Sequence, residues 1–142
     1  MVLGEKLWED KGNSSGEGFI KSVGMEGVTS EYSWTAQVVG MGRAKGMDGT
    51  LHVTAVGTVP PKGVAAETDQ GILMTMTGAM GVLKGYSLMK MNAGLNPTAV
   101  GLWSFMSMSE KLSWMNDLVA LVIFEAQDPM WNESKITIYE WK

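Results

Sequence analysis

The chain has no cysteine. That excludes disulfide staples, thiolate metal sites and cysteine nucleophiles. It has a single histidine, His52, so a multi-histidine metal site is excluded as well. It has a single arginine, Arg43, and Arg43 with Lys45 is its longest basic cluster. A surface that tracks nucleic-acid phosphates needs far more positive charge, and the net charge here is -4. No apolar stretch approaches the ~20 residues of a membrane-spanning helix. The longest, Leu118 to Phe124, is strand-sized. The first residues lack the basic segment and apolar run of a secretion signal. These absences leave a soluble, cytoplasmic protein with no metal, cofactor, nucleic-acid or membrane partner as the expectation. At 142 residues it forms one domain, large enough to bury a core without a staple.

What is abundant is glycine and methionine. There are 18 glycines and 13 methionines against 4 prolines. Many glycines with few prolines suit turns and close strand contacts. Turn signals recur at Asn13 to Gly16, Gly24 to Gly27, Gly46 to Gly49, Pro60 to Gly63, Thr77-Gly78, Asn92 to Pro97, Ser109 to Lys111 and Asp128 to Asn132. Regular spacing of this kind marks an all-β fold. Strands are expected at 5–10, 17–23, 31–41, 50–59, 64–77, 80–91, 98–108, 118–126 and 135–141, the fifth with a break near Asp69 to Gly71. Ser109 to Val119 is the best helical candidate, for one short turn.

Nothing between strands is long enough for a crossover helix, so each strand is expected to pair with its sequence neighbour. Such a meander of about eight or nine strands removes its edges by closing into an antiparallel up-and-down barrel. Gly57, Gly71, Gly81, Gly85 and Gly101 fall inside strand patterns, where a barrel needs bends or close contacts.

Several side chains suggest chemistry. His52 would lie alongside Thr54 and Val56, opposite Leu51 and Val53, and an imidazole can act as a base near neutral pH. Glu67 and Asp69 would share one face, and paired carboxyls can split their pKa values for acid–base work. Their polar neighbours Thr68 and Gln70 favour a solvated strand instead. Arg43, between glycines, could clamp a carboxylate or phosphate. The Gly40-Met41-Gly42 run lacks the strand-to-helix unit of a dinucleotide site. Glu125 is in register with Val119, Leu121 and Ile123. On an apolar face it is either at a barrel mouth or buried and paired. These carboxyls and His52 are the candidates for catalysis. Trp34 and Tyr32 share a face, with Glu31 on the other, and Trp103 pairs with Phe105 in the same way. With Met89 they are the candidates for lining a ligand pocket.

Met74 and Met76 share a face with Ile72, Met89 and Met91 with Leu83, and Met106 and Met108 with Leu102. Flexible methionines suit an adaptable pocket or an apolar interface. Leu118 to Phe124 is apolar on both faces, whereas a lone barrel needs only one apolar face. A homo-oligomer is therefore expected.

Gly71-Ile72-Leu73-Met74-Thr75, then Lys111-Leu112 followed by Asn116, Val119 and Glu125, and the closing Glu140-Trp141-Lys142 resemble a family of uncharacterised small β-barrel proteins of prokaryotes. The likeness covers residues 71–142. Members carry a charged hairpin after the glycine that Gly71 matches. Here that stretch, Met76-Thr77-Gly78-Ala79-Met80, is uncharged. The resemblance implies a barrel similar in shape to calycins and allene oxide cyclases, and no activity. Three functions stay open: binding of an apolar or aromatic small molecule in the interior or mouth, a structural oligomer with a solid core, and an isomerase or cyclase with a carboxylate at the mouth.

Overall fold

The computed structural model describes residues 3–12, 14–90, 97–126 and 134–142. Nine antiparallel strands account for most of them: β1 (Leu3–Asp10), β2 (Ser15–Gly24), β3 (Gly27–Gly40), β4 (Gly49–Val59), β5 (Ala65–Thr75), β6 (Met80–Lys90), β7 (Thr98–Ser107), β8 (Val119–Ala126) and β9 (Ser134–Trp141). From β3 to β9 each strand pairs with the next. The sheet then closes through β1, which pairs with β9 on one side and with the end of β3 on the other. The result is a closed eight-stranded barrel with β2 as an extra strand. Among the described residues, no helix is long and apolar enough to cross a membrane.

Two expectations change. β1 and β2 are not a hairpin. They follow one another along the same edge of β3, with Asp10 opposite Val38 and Ser15 opposite Thr35. Closure requires this, because β3 is 14 residues long and has edge enough for both. The fifth strand is also unbroken. Asp69, Gln70 and Gly71 pair continuously with Ala55, Thr54 and Val53. The turn candidates Asn92 to Asn96 and Asp128 to Asn132, with Asn13 and Met91, lie outside the described residues.

Period-two alternation divides each strand between core and surface. Leu51, Val53 and Ala55 point inward from β4, and Ala120, Val122 and Phe124 from β8. The interior holds a column of rings. Trp34 meets Phe124 edge-on at 5.3 Å, Trp103 lies 5.7 Å from Phe124 and 6.4 Å from Phe105, and Trp8 stacks on Trp114 at 5.9 Å. One end of the barrel is plugged. The Glu110–Asp117 3-10 helix, longer than the single turn expected, drives Leu112 and Met115 fully into the core. Arg43 locks this end from outside. Its guanidinium pairs with Glu140 of β9 at 2.9 Å and lies 4.8 Å over the Trp114 ring. The carboxylate it clamps therefore belongs to its own chain.

Candidate functional site

The other end of the barrel carries a pair of neighbouring acids, Glu67 and Asp69. Antiparallel register sets inward-facing residues in rows across the wall. One row runs Tyr32, Ala55, Asp69, Gly85, Trp103, and the next runs Ser30, Gly57, Glu67, Ser87, Gly101. The pairing of two carboxyls on one face was readable from the sequence. Their environment was not, and the solvated reading is wrong. Asp69 is only 3% exposed, and Glu67 is half-buried beside it. Thr68 and Gln70 are polar because they face water from the opposite side of the same strand.

Glycines make the cluster possible. A Cβ at Gly57 would meet the Glu67 Cβ at 2.6 Å, and one at Gly101 would meet the Ser87 hydroxyl at 2.6 Å. A Cβ at Gly85 would run into the Leu102 carbonyl and lie 2.6 Å from the Trp103 ring. Gly85 thus gives the Trp103 indole room to swing its N–H toward Asp69.

Asp69 Oδ2 accepts that indole N–H at 2.8 Å and also accepts the Ser87 hydroxyl. Oδ1 is buried with no hydrogen-bond partner among the described residues. Burial raises the pKa of Asp69, and the two hydrogen bonds to its ionised form oppose that rise. Glu67 is pushed up to about 7, first by burial and then by the charge of Asp69. Near neutral pH, Glu67 is therefore split between its acid and its base form. Ser87 and the polar role of Trp103 were missed in the sequence. The two-residue period of a strand puts Ser87 in phase with Leu83 and Met89, the only signal available.

The remaining candidates are dispersed. Trp34 lies inward beside Trp103 and Phe124, and Met89 packs on the core. The Tyr32 ring lies over Gly16 and Gly18 of β2, where a Cβ on Gly18 would approach it to 2.7 Å. Phe105 is buried in the ring column. His52 is on the outer wall, as its alternation implied, bonded to the Thr35 hydroxyl at 3.0 Å. It borders an open groove of about 1370 Å³ with Gln70, Ile72, Lys84 and Met106. Glu125 is exposed on the outer wall opposite Lys135 of β9. Neither His52 nor Glu125 shares a space with the buried acids. Met74, Met80 and Met106 are also outside, whereas Met115 is in the plug. Among the described residues no cluster of ligands could hold a metal ion.

No protein-family model matches the chain, and no curated protein does. Solved structures do. A protein of unknown function from Clostridium acetobutylicum superposes with a TM-score of 0.79 at 12% identity, covering 99% of this chain and 97% of the other. A β-barrel-like protein from Acinetobacter baumannii gives 0.76 at 18% identity, covering 99% and 96%. An enzyme from Penicillium herquei gives 0.68 at 17% identity, covering 99% and 94%. The barrel is thus a fold shared along its whole length with these bacterial proteins and with the Penicillium enzyme, at identities that speak for the fold alone.

Proposed function

We propose that the protein binds a small apolar or aromatic molecule at the Glu67–Asp69 end of its barrel. The ligand's hydroxyl or N–H reaches the carboxyls, and its apolar body lies against Trp34 and Met89. The observation that carries this reading is Asp69 Oδ1, a buried carboxylate oxygen with no donor among the described residues. Leaving such an atom unpaired costs about 1–3 kcal/mol, more if charged, so a ligand donor is the natural completion. Trp8, Phe105 and Trp114 support a solid core in the plugged half, which confines the ligand to the other half, beside Trp34, Trp103 and Phe124. Likeness in shape to calycins, barrels that can hold one small ligand, is part of this reading. So are a cytoplasmic setting and assembly as a homo-oligomer.

The test uses 1-naphthol and 1-methoxynaphthalene, which differ in the hydroxyl donor, and follows quenching of tryptophan fluorescence. Naphthol should bind at least tenfold more tightly than its methyl ether, and Asp69→Asn should erase most of that difference. Equal affinity for the two probes, or no binding of either, refutes the reading. A native mass spectrum of protein from its own host would show any retained ligand directly.

A second reading has its own observation. A Glu67 carboxyl with a pKa of about 7 is suited to passing a proton to and from a bound substrate. The structural neighbour from Penicillium herquei is an enzyme, which is compatible with that role. It predicts turnover that follows the ionisation of Glu67 and stops in Glu67→Gln, with binding retained.

A further inference from the structure

β2 is the one strand whose ten residues are all exposed. Phe19 and Ile20, neighbours that point to opposite faces, are 58% and 65% exposed, and Val23 is 72% exposed. Among the described residues β2 pairs with β3 alone, so its second edge presents unpaired peptide groups. Such an edge is a template for another strand. The sequence of this edge is complementary to itself. If two copies run antiparallel with Phe19 opposite Phe19, Glu17 of each faces Lys21 of the other, and Ile20 of each faces Gly18 of the other.

We propose that the protein forms a two-fold symmetric dimer by pairing β2 with β2 of a second copy, centred on Phe19. This deepens the homo-oligomer reading given above by naming its surface. The occupant is set by the charges. Glu17 and Lys21 attract across the strands in this register only. A parallel pairing in register sets Glu17 against Glu17 and Lys21 against Lys21, and like charges directly opposite repel. The pairing is also closed, because it is two-fold symmetric and each copy spends the second edge of its β2 on the other, which gives a dimer and not a fibre. Lys21 is the extra residue of a bulge between Ile20 and Ser22, so the added twist falls at the end of the paired segment and not at its centre.

Side-chain shapes agree. Gly18 has no side chain, and the Tyr32 ring covers its inner face. The second copy's Ile20, facing Gly18, would fall against that ring. The partner thereby adds an apolar residue beside Tyr32.

The other exposed apolar surface is less suited. The outer wall of β5 to β8 carries Met74, Val82, Tyr86, Leu88, Val100, Leu102 and Met106, on the order of the ~800 Å² per partner of a standard interface. Lys84 stands in its middle, between Gln70 and Ser104, with no acid beside it in that row. A dimer through this wall would bury that ammonium without a counter-charge.

The experiment is sedimentation of the full chain over a concentration series. The wild type should sediment as a dimer. Glu17→Lys and Lys21→Glu should each weaken the dimer by about tenfold or more, since each sets two like-charge pairs across the two-fold axis. The double variant Glu17→Lys/Lys21→Glu should restore it. Because the chain has no cysteine, single-cysteine variants then read the register. Phe19→Cys should cross-link under mild oxidation. Val23→Cys should not, because its two copies would lie about eight residues, or ~27 Å, apart at strand spacing. A wild type that is monomeric throughout overturns the proposal. So does a dimer indifferent to both single reversals, one dissolved by Leu102→Lys alone, or one that cross-links equally through residue 23.

Discussion

Replacing Glu67 by glutamine isolates the energetic consequence of burying this acid. Unfolded, the carboxyl titrates at its ordinary 4.5, and folded it titrates at about 7. Below pH 4.5 it is protonated in both states and has no pH-linked effect on stability. Between 4.5 and 7 the unfolded chain releases its proton first, so the native state binds more protons and stability falls as pH rises. Above 7 both states are ionised and the loss is complete. The span from 4.5 to 7 corresponds to about 3 kcal/mol at 1.36 kcal/mol per pKa unit. Asp69, also raised by burial, acts in the same direction. Glutamine is nearly isosteric and does not titrate. The stability of Glu67→Gln minus that of wild type should therefore increase by about 3 kcal/mol from pH 4 to pH 8, whatever constant offset the amide brings. Taking the difference cancels the carboxylates that do not interact with Glu67, such as Glu9, whose pKa is lowered by its hydrogen bond to Lys135 and which acts in the opposite sense. Urea unfolding followed by tryptophan fluorescence at four or five pH values gives the profile. A difference that is flat across this range would mean that Glu67 is solvated in the folded protein. The description of the acid cluster would then fail.

Trp103→Phe removes the indole N–H from Asp69 while keeping a ring in the column. The loss of one charge-assisted bond to a buried carboxylate should cost about 1.5–3 kcal/mol by urea denaturation. It should also raise the pKa of Asp69 further, seen as a steeper fall of stability with pH. Arg43→Met leaves Glu140 buried without its partner. Arg43 is itself half exposed, so the loss should be about 2 kcal/mol, below that of a fully buried pair, and Glu140→Gln in the same background should recover part of it. Gly85→Ala forces a methyl against the Leu102 carbonyl and the Trp103 ring. It should cost more than about 3 kcal/mol, whereas Gly46→Ala, whose Cβ would meet nothing, should lose only what its positive φ imposes.

The strands were legible because their turns are. Glycine and proline punctuate the chain, and the observed bounds of β4, β7 and β8 depart by a residue from those the sequence implies. Closure was legible too, from the lack of any crossover segment. The partner of β1 was not. Local pattern cannot reveal that a strand will skip its sequence neighbour, since that is decided by where the barrel must close.

The two faces of a strand pose a deeper difficulty, and it decided which acids were found. In β8 both faces are apolar, so alternation shows that Glu125 shares a face with Ile123 but not which face is inside. The answer lies in volume: Ala120, Val122 and Phe124 point to the ring column, and Val119, Leu121 and Ile123 take the surface. In β5 the inward row from Ala65 to Thr75 contains Glu67, Asp69 and Gly71, and only Leu73 among its members is a large apolar residue. Average hydrophobicity therefore pointed that row outward. A glycine-rich row carrying two acids is what remains when an interior face is kept for polar contacts and not for packing. The opposing rows of β4 and β7 supply Gly57 and Gly101 at the same level, small residues that a solid core would have replaced with larger ones. The coincidence of acids and glycines in register across four strands, more than any single residue, distinguishes this end of the barrel from its plugged end.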